Sequence, residues 1–125
     1  MLGDQPLVVF IPVKSMDAAE SFYVDVLGLH VNDRSPFAVV MDAGGTTLRL
    51  AQVKDFQPQP FTVAGWRVRD INASIDDLAS KGVHFIRYEG MDQDEMGVWS
   101  TPNGDHVAWF SDPDGNVLSL TSFAQ

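Results

Sequence analysis

The chain has no cysteine among its 125 residues. That excludes thiolate metal sites, disulfide frameworks, redox motifs and a cysteine nucleophile. Positive charge is scarce. Eight Lys and Arg stand against 17 Asp and Glu, for a formal net charge of −9. This balance opposes phosphate backbones and anionic lipid surfaces, so neither nucleic acid nor a membrane is expected as a partner. A solvated acidic surface is the plain reading of the excess. No stretch approaches the ~18 apolar residues of a membrane span. The apolar run 7–13 (LVVFIPV) has no basic segment before it, so it does not read as a secretory signal. A cytoplasmic protein is expected. GxSxG, GxxxxGK and GxGxxG are absent. His30, His84 and His106 form neither HxH nor HxxxH, and no Ser/His/Asp triad can be read.

What is present is an imperfect internal duplication. Val13 and Val68, Ser15 and Asp70, and Met16 and Ile71 lie 55 residues apart. Gly28-Leu29-His30 matches Gly82-Val83-His84 at an offset of 54. Ala38/Ala108, Asp42/Asp112, Gly45/Gly115, Leu48/Leu118 and Leu50/Leu120 are identical pairs at an offset of 70. The change of offset from 54 to 70 places a 16-residue insertion in the second copy, near 88–104. The length fits one domain. Within it the copies are expected at about 6–53 and 61–123, joined by the Pro/Gln linker 54–60.

Each copy reads as a strand, a helix and three further strands. The β-branched run 7–13 predicts the first strand. Ser15 or Asp17 can cap the helix that follows. Met16, Ala19, Phe22, Tyr23, Val26 and Leu27 form its apolar stripe, and Gly28 ends it. Strands are expected at 30–33, 37–41 and 46–53, with a turn at Asp42–Gly45. In the second copy the strand is Phe61–Val68, and Asp70 caps a helix whose stripe is Ile71, Ile75, Leu78 and Ala79. Strands at 84–88, 106–110 and 116–122 follow, with Asp112-Pro113-Asp114-Gly115 as the last turn. The class is α+β, as two tandem βαβββ modules. One helix covers only one face of a four-stranded sheet. Two bare faces side by side can curl into a cupped mixed sheet, which is the default place for a ligand.

FYVDVLGL (22–29), TPNGDHVAWF (101–110) and DPDGNVLSL (112–120) carry a resemblance to a known family. Together with the duplication, they resemble the vicinal oxygen chelate superfamily. That superfamily includes glyoxalase I, extradiol dioxygenases, and the fosfomycin and bleomycin resistance proteins. The resemblance spans residues 6–123 and implies the fold; it leaves the chemistry open. Metal-using members place His, Gln or Glu on the first strand of each module and Glu on the last. By position these sites fall on Val8, Val63, Arg49 and Ser119. None of the four suits a divalent cation, and Arg would repel one. The resemblance therefore implies a member with no metal and no cofactor, which puts the metal-dependent activities in doubt. Homodimerisation is a further expectation, because sheet edges are usually covered and relatives commonly dimerise.

Strand alternation selects the ligand candidates. Phe10, Pro12, Phe61, Gly65 and Arg67 share the cup-facing parity of Val8 and Val63. Thr47, Arg49, Ala51, Val117, Ser119 and Thr121 share it on the last strands. Leu48, Leu50, Leu118 and Leu120 then face the helices. Arg49 either pairs with a nearby carboxylate or waits for a polar ligand oxygen. Trp66 and Trp109 read as core or as ligand platforms, and one bulge would change the face of Trp109. Trp99, in a polar loop, reads as a lid or a dimer contact. Asp92, Asp94 and Glu95 imitate a calcium loop, but Met96 stands where a ligand belongs, so a solvated acidic loop is the simpler reading; with Trp99 as a lid, the same acids could attract a cationic ligand. Asp112, Asp114 and Asn116 belong to a hairpin turn. The expected ligand-binding set is Phe10, Arg49, Phe61, Arg67, Trp99, Trp109 and Ser119. The function expected first is metal-free binding of an aromatic or amphiphilic small molecule. A lyase, isomerase or dioxygenase with displaced ligands and an interaction module with an empty cup are the alternatives.

Overall fold

The computed structural model describes residues 1–125, in two compact units, Met1–Gln57 and Pro58–Gln125. In the first, strands β1 (Val8–Val13), β2 (His30–Arg34), β3 (Ala38–Ala43) and β4 (Thr46–Gln52) form one sheet in the order β1-β4-β3-β2. β1 runs parallel to β4, and the other pairs are antiparallel. The sheet is thus mixed, and the parallel pair requires a crossover. Helix α1 (Met16–Ser21) supplies it, capped by Ser15, whose hydroxyl accepts from the Ala18 amide at 3.5 Å.

The helix is shorter than its stripe predicts. From Phe22 the turns widen, and the Leu27 amide reaches back five residues to the Phe22 carbonyl at 3.0 Å. Gly28, at φ 80°, then ends the segment, as its place in the pattern requires. Tyr23 is fully buried by this arrangement, together with Ile11, Val13, Ala19, Met41 and Leu50. Gly44 and Gly45 both have positive φ, which a two-residue hairpin between β3 and β4 demands. The Glu20 carboxylate and Arg34 guanidinium form two hydrogen bonds, at 2.9 and 3.0 Å, that tie α1 to β2. The Arg34 hydrogen bond, helped by its charge and opposed by slight burial, holds Glu20 below its ordinary pKa.

The second unit repeats the plan with β5 (Thr62–Arg67), α2 (Ile71–Ser80), β6 (Trp99–Ser100), β7 (His106–Ser111) and β8 (Val117–Ser122), in the order β5-β8-β7-β6. Asp70 caps α2 by accepting from the Ala73 amide at 3.0 Å. Ile71, Ile75 and Leu78 are its buried stripe. The turn before β8 is closed by Asp112, only 5% exposed. One carboxylate oxygen accepts from the amides of Asp114 and Asn116, and the other from the Asn116 side chain at 2.9 Å.

One expected strand is broken. Of 84–88, only Phe85 and Ile86 meet β7: Phe85 bridges Phe110, and the Ile86 amide donates to the Trp109 carbonyl at 2.7 Å. The chain then leaves the sheet and returns as β6 inside the insertion, where Trp99 and Ser100 pair with Val107 and His106. Trp99 therefore stands on an edge strand rather than in a polar loop. The excursion is tied down by Gln93. Its side-chain carbonyl accepts from the Tyr88 amide at 2.7 Å, and its amide nitrogen donates to the Ile86 and Gly97 carbonyls at 2.9 and 2.8 Å. These bonds satisfy backbone groups that a continuous ladder would otherwise have paired.

Gln93→Ala removes all three. It is expected to cost about 1–3 kcal/mol, since each such bond contributes roughly 1 kcal/mol net. Urea unfolding should register the loss, and hydrogen exchange at the Tyr88 amide should accelerate.

Candidate functional site

In both units the helix covers one face of the sheet and leaves the other open. The Leu prediction holds: Leu48, Leu50, Leu118 and Leu120 are buried at 4% exposure or less. On β7, Ala108 and Phe110 are fully buried, so alternation puts Val107, Trp109 and Ser111 on the open side. No bulge interrupts β7 against β8, which decides the face of Trp109. Trp66 goes the other way. It pairs across from Leu120 and stacks on Phe110 with ring centroids 6.4 Å apart.

Around Trp109 an aromatic cluster assembles. Tyr88 meets it edge-on at 5.4 Å and 84°. Trp99 lies at 6.4 Å and 32°. The Trp109 indole N–H donates to the Thr62 hydroxyl at 3.1 Å. Thr62 is on β5, so the ring reaches across β8. Beneath it lies Ser119, the cross-strand neighbour of Trp109 and only 8% exposed. Ser119 in turn pairs with Gly65, and its hydroxyl occupies the space that a Cβ at Gly65 would need. Gly, Ser and Trp are thus stacked as a wedge: the missing side chain on β5 lets Ser119 lean over, and the indole closes above it.

The register of β5 changes between Thr62 and Ala64, so Val63 has no partner on β8. This bulge corrects the parity assigned to Phe61 and Val63. Thr62 is the residue that shares the face of Trp109, while Phe61, 59% exposed, precedes the strand. Arg67 keeps its face, opposite Thr121. It ends the cross-strand row Arg67, Thr121, Val107, Trp99, at the far side of the sheet from Trp99. Its guanidinium lies 5.1 Å from the Phe123 ring centroid.

In the first unit, Val8 and Phe10 are 51% and 62% exposed on the open face. Arg49 pairs between Phe10 and Val40. It meets no carboxylate; its guanidinium lies over the Phe10 ring, 5.8 Å from the centroid. Of the two readings of Arg49, the ion pair is therefore excluded.

The four positions to which the resemblance assigns metal ligands do not fit a cation. Val8 and Val63 have no donor atoms, Arg49 is itself a cation, and Ser119 is spent on the wedge. The chain holds no group of three or more His, Asp and Glu able to grip a metal. The calcium-like loop is occupied by its own backbone: Asp94 accepts from the Met96 and Val98 amides at 2.9 Å. His106 sits beside the Ser100 hydroxyl at 2.9 Å, while His30 and His84 stand apart and exposed. What the aromatic cluster offers is ring faces with two hydroxyls, from Thr62 and Tyr88. It suits stacking. Thr62, Tyr88 and Gln93 were absent from the expected set. Tyr88 and Thr62 would follow from the broken strand and the bulge, had the sequence disclosed either.

The family model of the Glyoxalase/Bleomycin resistance protein/Dioxygenase superfamily matches residues 5–120. The chain belongs to this superfamily. Solved structures of the superfamily share its fold. One is a glyoxalase/bleomycin resistance protein/dioxygenase from Alicyclobacillus acidocaldarius: 19% identical, TM-score 0.76, 98% of this chain and 93% of that one covered. A lactoylglutathione lyase from Agrobacterium tumefaciens is 18% identical, with a TM-score of 0.74 over 95% and 93%. TnmS3, an antibiotic binding protein from Streptomyces sp. CB03234, is 26% identical, with a TM-score of 0.71 over 97% of both chains. No curated protein matches the sequence.

The wedge in this superfamily member is directly testable. Gly65→Ala should destabilise by about 1–3 kcal/mol, because the added methyl overpacks against Ser119. Adding Ser119→Ala should recover part of that loss, leaving the close Ser119 carbonyl, 3.2 Å from the new Cβ. A double-mutant cycle by denaturant unfolding measures the coupling.

Proposed function

We propose that this protein binds a planar aromatic small molecule without a metal, on the open face of the unit Pro58–Gln125. The observation that carries the reading is the Tyr88–Trp109–Trp99 cluster on a face that the unit's own helix leaves uncovered. Large rigid rings held in place present stacking area at low entropic cost. The acidic chain favours a neutral or cationic ligand over an anionic one at long range. The similarity to an antibiotic binding protein supports the same class. A metal-dependent lyase or dioxygenase would need donors that residues 8, 49, 63 and 119 do not provide.

Titration with a planar acridine, followed by tryptophan fluorescence, tests the reading. Trp99→Ala should weaken binding by about 1–3 kcal/mol, roughly 5- to 150-fold in Kd, with a near-unchanged melting temperature. Equal affinity with a lowered melting temperature would assign Trp99 to structure alone. Elemental analysis should find no stoichiometric Zn, Fe, Mn or Ni; about one such ion per chain would reject the metal-free reading.

The working form we propose is a homodimer in the cytoplasm. Val8, Phe10, Phe37 and Phe61 are more than half exposed, a large apolar load for a lone small chain. Sedimentation at micromolar concentration should give about twice the 13.7 kDa chain mass. A species at the chain mass alone would reject dimerisation.

A further inference from the structure

At the carboxyl ends of the parallel strands β5 and β8 lies a groove of about 470 Å³, within the size range of small-molecule sites. Its charged side chains are both cations, Arg67 and Arg69. Ser122 adds a hydroxyl, and Phe123 and Ala124 add apolar surface. The chain has more than two acids per Lys or Arg, and at least three of the other six cations have found an acceptor. Arg34 holds Glu20, Lys81 holds Asp77, and Arg87 holds two backbone carbonyls. Arg67 and Arg69 pair with no carboxylate. Two acids beside the groove accept from backbone amides. Asp70 caps α2, and Asp105 accepts from the Ala124 amide at 2.7 Å.

The Phe123 ring does a second thing. With the Arg67 guanidinium 5.1 Å from its centroid, it restrains a long side chain whose N–H edge still has no acceptor. A planar fork held in this way matches a two-oxygen acceptor better than a spherical anion. The neighbouring apolar surface suits a carbon skeleton attached to that acceptor.

We propose that this groove binds an organic carboxylate with an apolar body, through Arg67 and Arg69. It is distinct from the aromatic cluster on the same face: the cluster reaches β5 only at Thr62, the amino end of the strand, while Arg67 stands at the carboxyl end. Benzoate is the probe, added to the full chain and followed by amide chemical shifts. Inorganic phosphate provides an anion without the apolar body, and benzamide the body without the charge. Saturable benzoate shifts are expected at residues 67–69 and 122–125, with affinity at least tenfold weaker for phosphate and for benzamide. Arg67→Gln/Arg69→Gln should weaken benzoate at least tenfold, and Trp99→Ala should leave it unchanged. Arg69→Gln alone, at an exposed position beyond the strand, provides the same readout if the double variant does not fold. Non-saturable shifts, shifts elsewhere, equal binding of benzamide or phosphate, or indifference to the Arg variants would overturn the proposal.

Discussion

A single residue, Gln93, holds both aromatic partners of Trp109. Gln93 receives the Tyr88 amide on its oxygen and forms a backbone bridge with Trp99. Through its nitrogen it clasps the Ile86 and Gly97 carbonyls on either side of the excursion. Without such a clasp the broken strand would leave backbone groups half-buried and unpaired, a state that costs more than a bond is worth. With it, the 12-residue departure 87–98 is tied down along its length, and the rings near its two ends keep their spacing. The open face is therefore organised by a residue that presents nothing to a ligand.

The first-strand and last-strand faces were legible because alternation is a strict period and both ends of it were apolar enough to read. Leu48, Leu50, Leu118 and Leu120 had to go inward, which fixed Arg49 and Ser119 outward. The duplication then carried each assignment from one unit to the other. Where a strand of the second unit departs from regular alternation, the reading failed. The bulge at Val63 has no signature, since Val and Thr fit a regular strand equally well, and it moved the face from Phe61 to Thr62. The edge strand Trp99–Ser100 is too short to show a period at all. It lies in a segment whose composition, rich in Gly and acid, resembles a loop.

Charge was harder to place than shape. A lone Arg on an apolar face suggests a buried counter-ion, yet Arg49 settles over Phe10. In both units a guanidinium on the open face is matched with a phenyl ring rather than a carboxylate, Arg49 with Phe10 and Arg67 with Phe123. Ring faces satisfy the cation without cancelling its charge. The sequence pattern cannot distinguish that from an ion pair, because the ring that does it is a cross-strand neighbour in one case and 56 residues away in the other.

The broken strand has one more consequence. Its two anchor points, Ile86 opposite Trp109 and Trp99 opposite Val107, lie only two residues apart along β7. At the rise of an extended strand that is about 7 Å. A segment whose ends are so close can grow or shrink with little change in closure entropy, because that cost rises only with the logarithm of its length. Neither end needs to move when the middle does. The stretch 89–92 is thus a place where descendants of this chain, or a designer, can exchange residues beside the aromatic cluster while Tyr88, Gln93 and the register of the sheet stay as they are.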